Sequence, residues 1–139
     1  MDESQTPFPW SSLAEDPDRD RTLSLLFHSL RASRRRRVIQ LLADEHPPLP
    51  TRWLARQIAA LENGIPPERA TGEPYRNVYN ALSQTHLHTL AEADIIIYDP
   101  KRQTVTPGPI FSLARLLVDI NAPTVSTFYS LLDSSDTTE

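Results

Sequence analysis

The sequence predicts a mainly α-helical protein with one small β-hairpin. Three observations carry this expectation. Apolar residues recur at spacings of three and four in separate segments between residues 21 and 90. A short apolar run, Ile95-Ile96-Ile97-Tyr98, leads into the turn Pro100-Lys101-Arg102 and a second β-prone run, Gln103-Thr104-Val105-Thr106. After Pro107-Gly108-Pro109 the helical spacing resumes.

Residues 1–20 are polar, acidic and proline-containing, and are expected to form a mostly flexible arm. Leu23, Leu26, Phe27 and Leu30 mark a first amphipathic helix over about 21–31. Ser33 is the expected N-cap of a second helix, with Val38, Leu41 and Leu42 inward and His46-Pro47-Pro48 ending it. Leu49-Pro50 suits a brief strand or an extended lead-in. Thr51 is the expected N-cap of a third helix that turns Leu54, Ile58 and Leu61 to one side and closes at Gly64. Pro66-Pro67-Glu68-Arg69 has the composition of one added helical turn. A fourth helix spans 74–90, with Pro74 in its first turn and Tyr75, Val78, Tyr79, Leu82, His86 and Leu90 on one face. Leu87 does not fit that face, which predicts packing towards the hairpin or a bend in the helix. A fifth helix covers 110–121 and a sixth covers 124–132. The order helix, helix, helix, helix, hairpin is that of a winged helix-turn-helix with extra C-terminal helices. The expected organisation is an acidic arm over 1–20, the winged domain over 21–107, dimerisation helices over 108–133 and a flexible tail over 134–139.

Composition narrows the function classes. The chain has 139 residues and no cysteine, so thiolate chemistry, disulfides and Cys-based metal sites are excluded. No apolar run is long enough for a membrane span and the N-terminus MDESQTPFPW has no cationic start, so a cytoplasmic protein is expected. The formal net charge of −4 is unevenly spread: residues 1–20 carry −5, residues 119–139 carry −4, and the middle carries +5. A basic middle suits a nucleic-acid surface. Thirteen arginines stand against a single lysine, Lys101. No G-x-S-x-G motif and no Gly-rich phosphate loop is present, and the expectation is no enzyme, no cofactor and no small-molecule ligand. His86 and His88 are two apart on a helix and point apart, so no metal site is expected there.

On the face of the fourth helix away from the core lie Asn77, Asn80 and Gln84. A carboxamide offers a donor and an acceptor together, as the major-groove edge of adenine requires, and these three are the candidate base contacts. Arg52, Arg56, Arg76, Lys101 and Arg102 are the candidate DNA-backbone contacts. Arg34 to Arg37 place four cations in the first turn of a helix, against its dipole. Intramolecular partners such as Glu62, Glu73 or the acidic arm are expected for Arg34 and Arg35. Arg36 and Arg37 are left between DNA contact and an internal salt bridge. In the fifth helix Phe111, Leu116, Val118 and Ile120 belong to an apolar arc too wide for one domain face. With Phe128 and Leu132 they are the expected interface of a two-fold homodimer, the alternative being a sixth helix that folds back.

The segments SRRRRVIQLLA, LARQIAALENG and VYNALSQTHLHTLAEADIIIYDP resemble a haloarchaeal winged helix-turn-helix family of unassigned function that is presumed to bind DNA. The run Gln84-Thr85-His86-Leu87-x-x-Leu90 is the most specific part, and the resemblance covers roughly residues 23–106. It implies an archaeal, halophilic setting and double-stranded DNA as partner. Two departures stand out: Asp94 occupies a turn position usually held by glycine, and the helix opening Glu73-Pro74-Tyr75-Arg76-Asn77 carries only one cation. The functional expectation is a sequence-specific DNA-binding transcriptional regulator. The alternative is a winged-helix protein–protein interaction module that binds no DNA.

Overall fold

A computed structural model describes residues 17–119 of the chain. Its elements are α1 (Pro17–Ser29), α2 (Ser33–Asp44), β1 (Leu49–Pro50), α3 (Thr51–Asn63), a 3₁₀ turn (Pro67–Arg69), α4 (Glu73–Ala81), a π turn (Leu82–His86), α5 (Leu87–Glu92), β2 (Ile96–Asp99) and β3 (Thr104–Pro107), followed by the helix α6 over 111–119. α4, the π turn and α5 run on without a break as one helix over 73–92. The protein is mainly helical with a small antiparallel sheet of order β1-β3-β2. Leu49 pairs with Val105, and Tyr98 pairs with Val105 from the other side.

Among the described residues one hydrophobic core joins the helices and the sheet, with Leu26, Ile39, Leu54, Ile58, Leu82 and Ile95 among its sealed members. α3 ends as its sequence predicts. Gly64 takes the left-handed conformation (φ 63°), and both its N–H and that of Ile65 donate to the carbonyl of Ala60. Asp94 also sits in left-handed backbone (φ 62°), so the fold keeps the turn without glycine.

Several expectations are corrected. α1 begins at Pro17, so residues 17–20 are helical and not part of an arm. Its inward stripe is narrow: Leu26 is buried and Leu30 half-buried, whereas Leu23 and Phe27 stand exposed, as does Leu61 on α3. Neither predicted N-cap forms. Ala32 and Pro50 hold the cap positions of α2 and α3, and no described side chain caps either helix. The Thr51 hydroxyl is instead buried and has no hydrogen-bond partner among the described residues. Gln103 is not a strand residue; it turns with φ 56° and β3 begins one residue later. Phe111 and Val118 pack into the protein's own core with Ala114, which removes them from an interface between copies. The outer side of α6 instead exposes Leu113 and Leu116. Ile120, Phe128, Leu132 and the sixth helix over 124–132 lie outside the described residues.

Candidate functional site

Helix 73–92 is the organising element of the site. Gly72 (φ 71°) swings the chain into it, Glu73 places a carboxylate at its positive end, and Pro74 lies in the first turn, where its missing N–H costs nothing. The π turn at Leu82–His86 inserts one extra residue into the helical ladder. One residue is about 100° of rotation in an α-helix. This brings Leu87, out of phase with an ideal helix, into line with Leu82 and Leu90, and all three are fully buried. The misfit of Leu87 in the sequence is therefore the sign of a π turn.

The opposite side of the helix is polar and open. Asn77, Asn80 and Gln84 are exposed, with Arg76 and His88 also exposed. The hairpin stands beside this surface and is tied to it. The Tyr79 hydroxyl donates to Gln103 Oε1 at 3.0 Å, and the Tyr98 hydroxyl reaches the same oxygen at 3.5 Å. Gln103 Nε2 donates to the Pro100 carbonyl at 2.8 Å, and the His88 ring meets Tyr98 edge-on at 5.3 Å. At the tip, Asp99 Oδ1 accepts the backbone N–H groups of Lys101 and Arg102. The Asp99 side chain thus shapes the turn, and the side chains of Lys101 and Arg102 remain exposed.

The arginines sort into two groups. Arg52 and Arg56 are exposed on α3 and flank the half-buried Trp53 around a shallow cleft. Arg52 also lines a second cleft together with Arg102 from the hairpin. The structure thus brings together two residues fifty positions apart that the sequence offered separately. The cluster Arg34–Arg37 is turned inward in large part. Arg34 forms a two-pronged pair with Glu62 at 2.7 and 2.8 Å, as the sequence suggested. Arg35, only 7% exposed, donates to the carbonyls of Ser29 and His28. Arg36 donates to those of Leu30 and Arg31. The compensating negative charge is thus partly the carboxylate of Glu62 and partly the carbonyl end of α1. Arg36 is thereby placed inside the fold, through carbonyls and not through a salt bridge, while Arg37 is half-buried.

His86 closes this cluster from the π turn, with Nδ1 3.5 Å from Arg35. Burial holds its pKa below the ordinary value, and the positive charges of Arg35 and Arg34 act in the same direction. Glu62 is held below the ordinary carboxylate value by its hydrogen bond from Arg34. Tyr79, Gln103 and Arg35 were not singled out as a framework by the sequence. Their partners lie 24, 24 and 51 positions away, and no local pattern signals such pairings. No curated protein and no solved structure matches the chain. Residues 27–106, more than half of the sequence, match the family described as a domain of unknown function (DUF7344), and the chain belongs to that family.

Proposed function

We propose that the protein is a sequence-specific DNA-binding transcriptional regulator that acts as a winged-helix homodimer. Helix 73–92 is then the recognition helix and β2–β3 the wing. The observation that carries the reading is the two-sidedness of that helix. Val78, Leu82, Leu87 and Leu90 are sealed in the core, while Asn77, Asn80 and Gln84 are exposed beside a hairpin that ends in exposed Lys101 and Arg102. The carboxamides read base edges in the major groove. Arg52, Arg56, Arg76, Lys101 and Arg102 grip phosphates and set the register. Exposed Leu113 and Leu116 on α6, with Leu23 and Phe27 on α1, supply an apolar surface for the second copy. Two recognition helices then meet successive major grooves about 34–36 Å apart.

The test is duplex selection from a random pool, followed by binding measured across a salt series. Affinity is expected to fall with salt. Asn77→Ala and Gln84→Ala each relax the preference at one position, by about 1–3 kcal/mol. Lys101→Ala with Arg102→Ala weakens all duplexes alike and flattens the salt slope by about 0.9 per lost contact. Failure to bind any duplex at low salt sinks the proposal. That outcome leaves the protein–protein interaction module, which the exposure of Ile97 on the outer strand of the hairpin favours.

A further inference from the structure

We infer that the cleft between the start of α3 and the base of the hairpin seats a single phosphate-class oxyanion. The cleft is lined by Pro50, Arg52, Tyr79, Arg102, Gln103 and Thr104 and has a volume of roughly 280 Å³. Its position ties the third helix, the helix 73–92 and the hairpin together at one point.

Charge is the first argument. Two guanidinium groups reach the cleft from elements far apart in sequence, and no carboxylate is among its lining residues. The acid beside Arg102, Asp99, is 4.0 Å from its Nε and already accepts the N–H groups of Lys101 and Arg102. Both arginine side chains therefore keep donors for an external anion.

The field of α3 acts in the same sense. This helix of 13 residues starts at the cleft, with Pro50 in the cap position and no acid in its first turn. The N–H of Thr51 is used by the carbonyl of Gln103. The positive end of the helix is thus left without a side-chain counter-charge among the described residues, and it adds to the two arginines.

The walls are held in place. Gln103 donates to Pro100 and accepts from Tyr79, which fixes its side chain, and the charged donors facing a ligand are the two guanidinium groups. The volume lies below the roughly 300–1,000 Å³ of pockets for drug-sized ligands. A tetrahedral phosphate has oxygens enough for both arginines at once. That phosphate is either a phosphodiester of a DNA backbone, in which case the inference rests on the reading proposed above, or free phosphate.

The full chain, labelled with ¹⁵N, is titrated with inorganic phosphate at low ionic strength, with chloride at matched ionic strength as control. Saturable shifts at the amides of Arg52, Trp53 and Gln103 are expected. They should be at least tenfold weaker in Arg52→Gln with Arg102→Gln, and unchanged in Arg115→Gln, which removes an exposed charge on α6 that does not line the cleft. A second titration uses short duplexes with one methylphosphonate each. A position that weakens the wild type but not the double variant identifies a backbone phosphate as the occupant. Saturation by inorganic phosphate with no such position identifies the free anion. If the duplex binds and neither probe depends on Arg52 and Arg102, the oxyanion seat is refuted and the DNA-binding reading stands. If phosphate saturates the cleft and no duplex binds at low salt, the seat stands and the DNA-binding reading falls.

Discussion

At the scale of single residues, Arg35 and His86 join the two halves of the helical layer. The Arg35 guanidinium covers the last carbonyls of α1 and approaches the His86 ring from α2, with Arg34 and Glu62 close behind. A proton on His86 would add a third positive charge to this half-buried cluster. The unfolded chain has no such penalty and takes up the proton near the ordinary histidine value of 6.5. The unfolded state then binds more protons than the folded one, so stability is full above that value and falls as pH drops below it. Glu62, whose depressed pKa has the same sign, adds a separate loss below its ordinary value of 4.5. Urea midpoints measured between about pH 7.5 and 5 should therefore decline for the wild type and decline less for His86→Gln. Equal slopes for the two proteins would show that His86 is not under this strain.

At the scale of elements, the π turn matters most. In an even α-helix of the same sequence Leu87 would point about 100° away from its present direction and out of the core, so the π turn is what seats it. Deleting the exposed Thr85 turns the π turn into an ordinary α-helical turn and keeps Leu82, Leu87 and Leu90 in phase, at spacings of four and three. That deletion should be tolerated, whereas an alanine inserted after Thr85 puts Leu87 and Leu90 out of phase at a cost on the order of 2–5 kcal/mol for each large side chain exposed, and denaturant unfolding of the two variants gives the comparison. A second position is as sharply defined. A Cβ on Gly108 would lie 2.7 Å from the Asp94 carbonyl oxygen and 3.1 Å from two further backbone carbons. Gly108→Ala should cost about 1–3 kcal/mol, read as a lowered urea midpoint, because the obstacle is backbone that cannot swing aside. A midpoint equal to the wild type would mean that β2 and the start of α6 can part freely.

The elements also show what was legible in the chain. Periodicity located the four helices before the hairpin, and β-prone runs around Pro100-Lys101-Arg102 located β2 and β3. The exposed carboxamide face of helix 73–92 followed from the same spacing. What periodicity cannot carry is a break in its own phase, so Leu87 looked misplaced until the π turn accounted for it. Nor does it tell how much of an apolar stripe a neighbour covers, and Leu23, Phe27 and Leu61 accordingly fall outside the core. Ser33 and Thr51 are favoured cap residues by type, yet the helices begin at them and not after them. The cleft joining Arg52 to Arg102 depends on tertiary folding and has no local signature.

On the scale of the whole molecule, the exposed apolar residues are concentrated. Leu23 and Phe27 on α1 and Leu113 and Leu116 on α6 are four of the six large hydrophobic side chains exposed among the described residues. Leu23 and Leu113 line one apolar cleft between these helices. Among the described residues no helix is long and apolar enough to cross a membrane. In the homodimer proposed above, a second copy would cover these side chains. Leu113→Glu with Leu116→Glu should leave the fold intact, since neither side chain is buried, and should shift sedimentation from dimer to monomer. A wild type that sediments as a monomer at all concentrations would remove the homodimer from the proposal.

The oxygen of Gln103 has a consequence for how any long partner is met. Tyr79 from the helix and Tyr98 from the β-ribbon converge on that one acceptor, which ties the two elements to each other at this point. A contact already made in the folded protein need not be ordered again when a partner arrives. Tyr79→Phe should loosen the ribbon and leave the helix seated. Amide protons of Thr104 and Thr106 would exchange faster in that variant, and association would carry a larger unfavourable entropy.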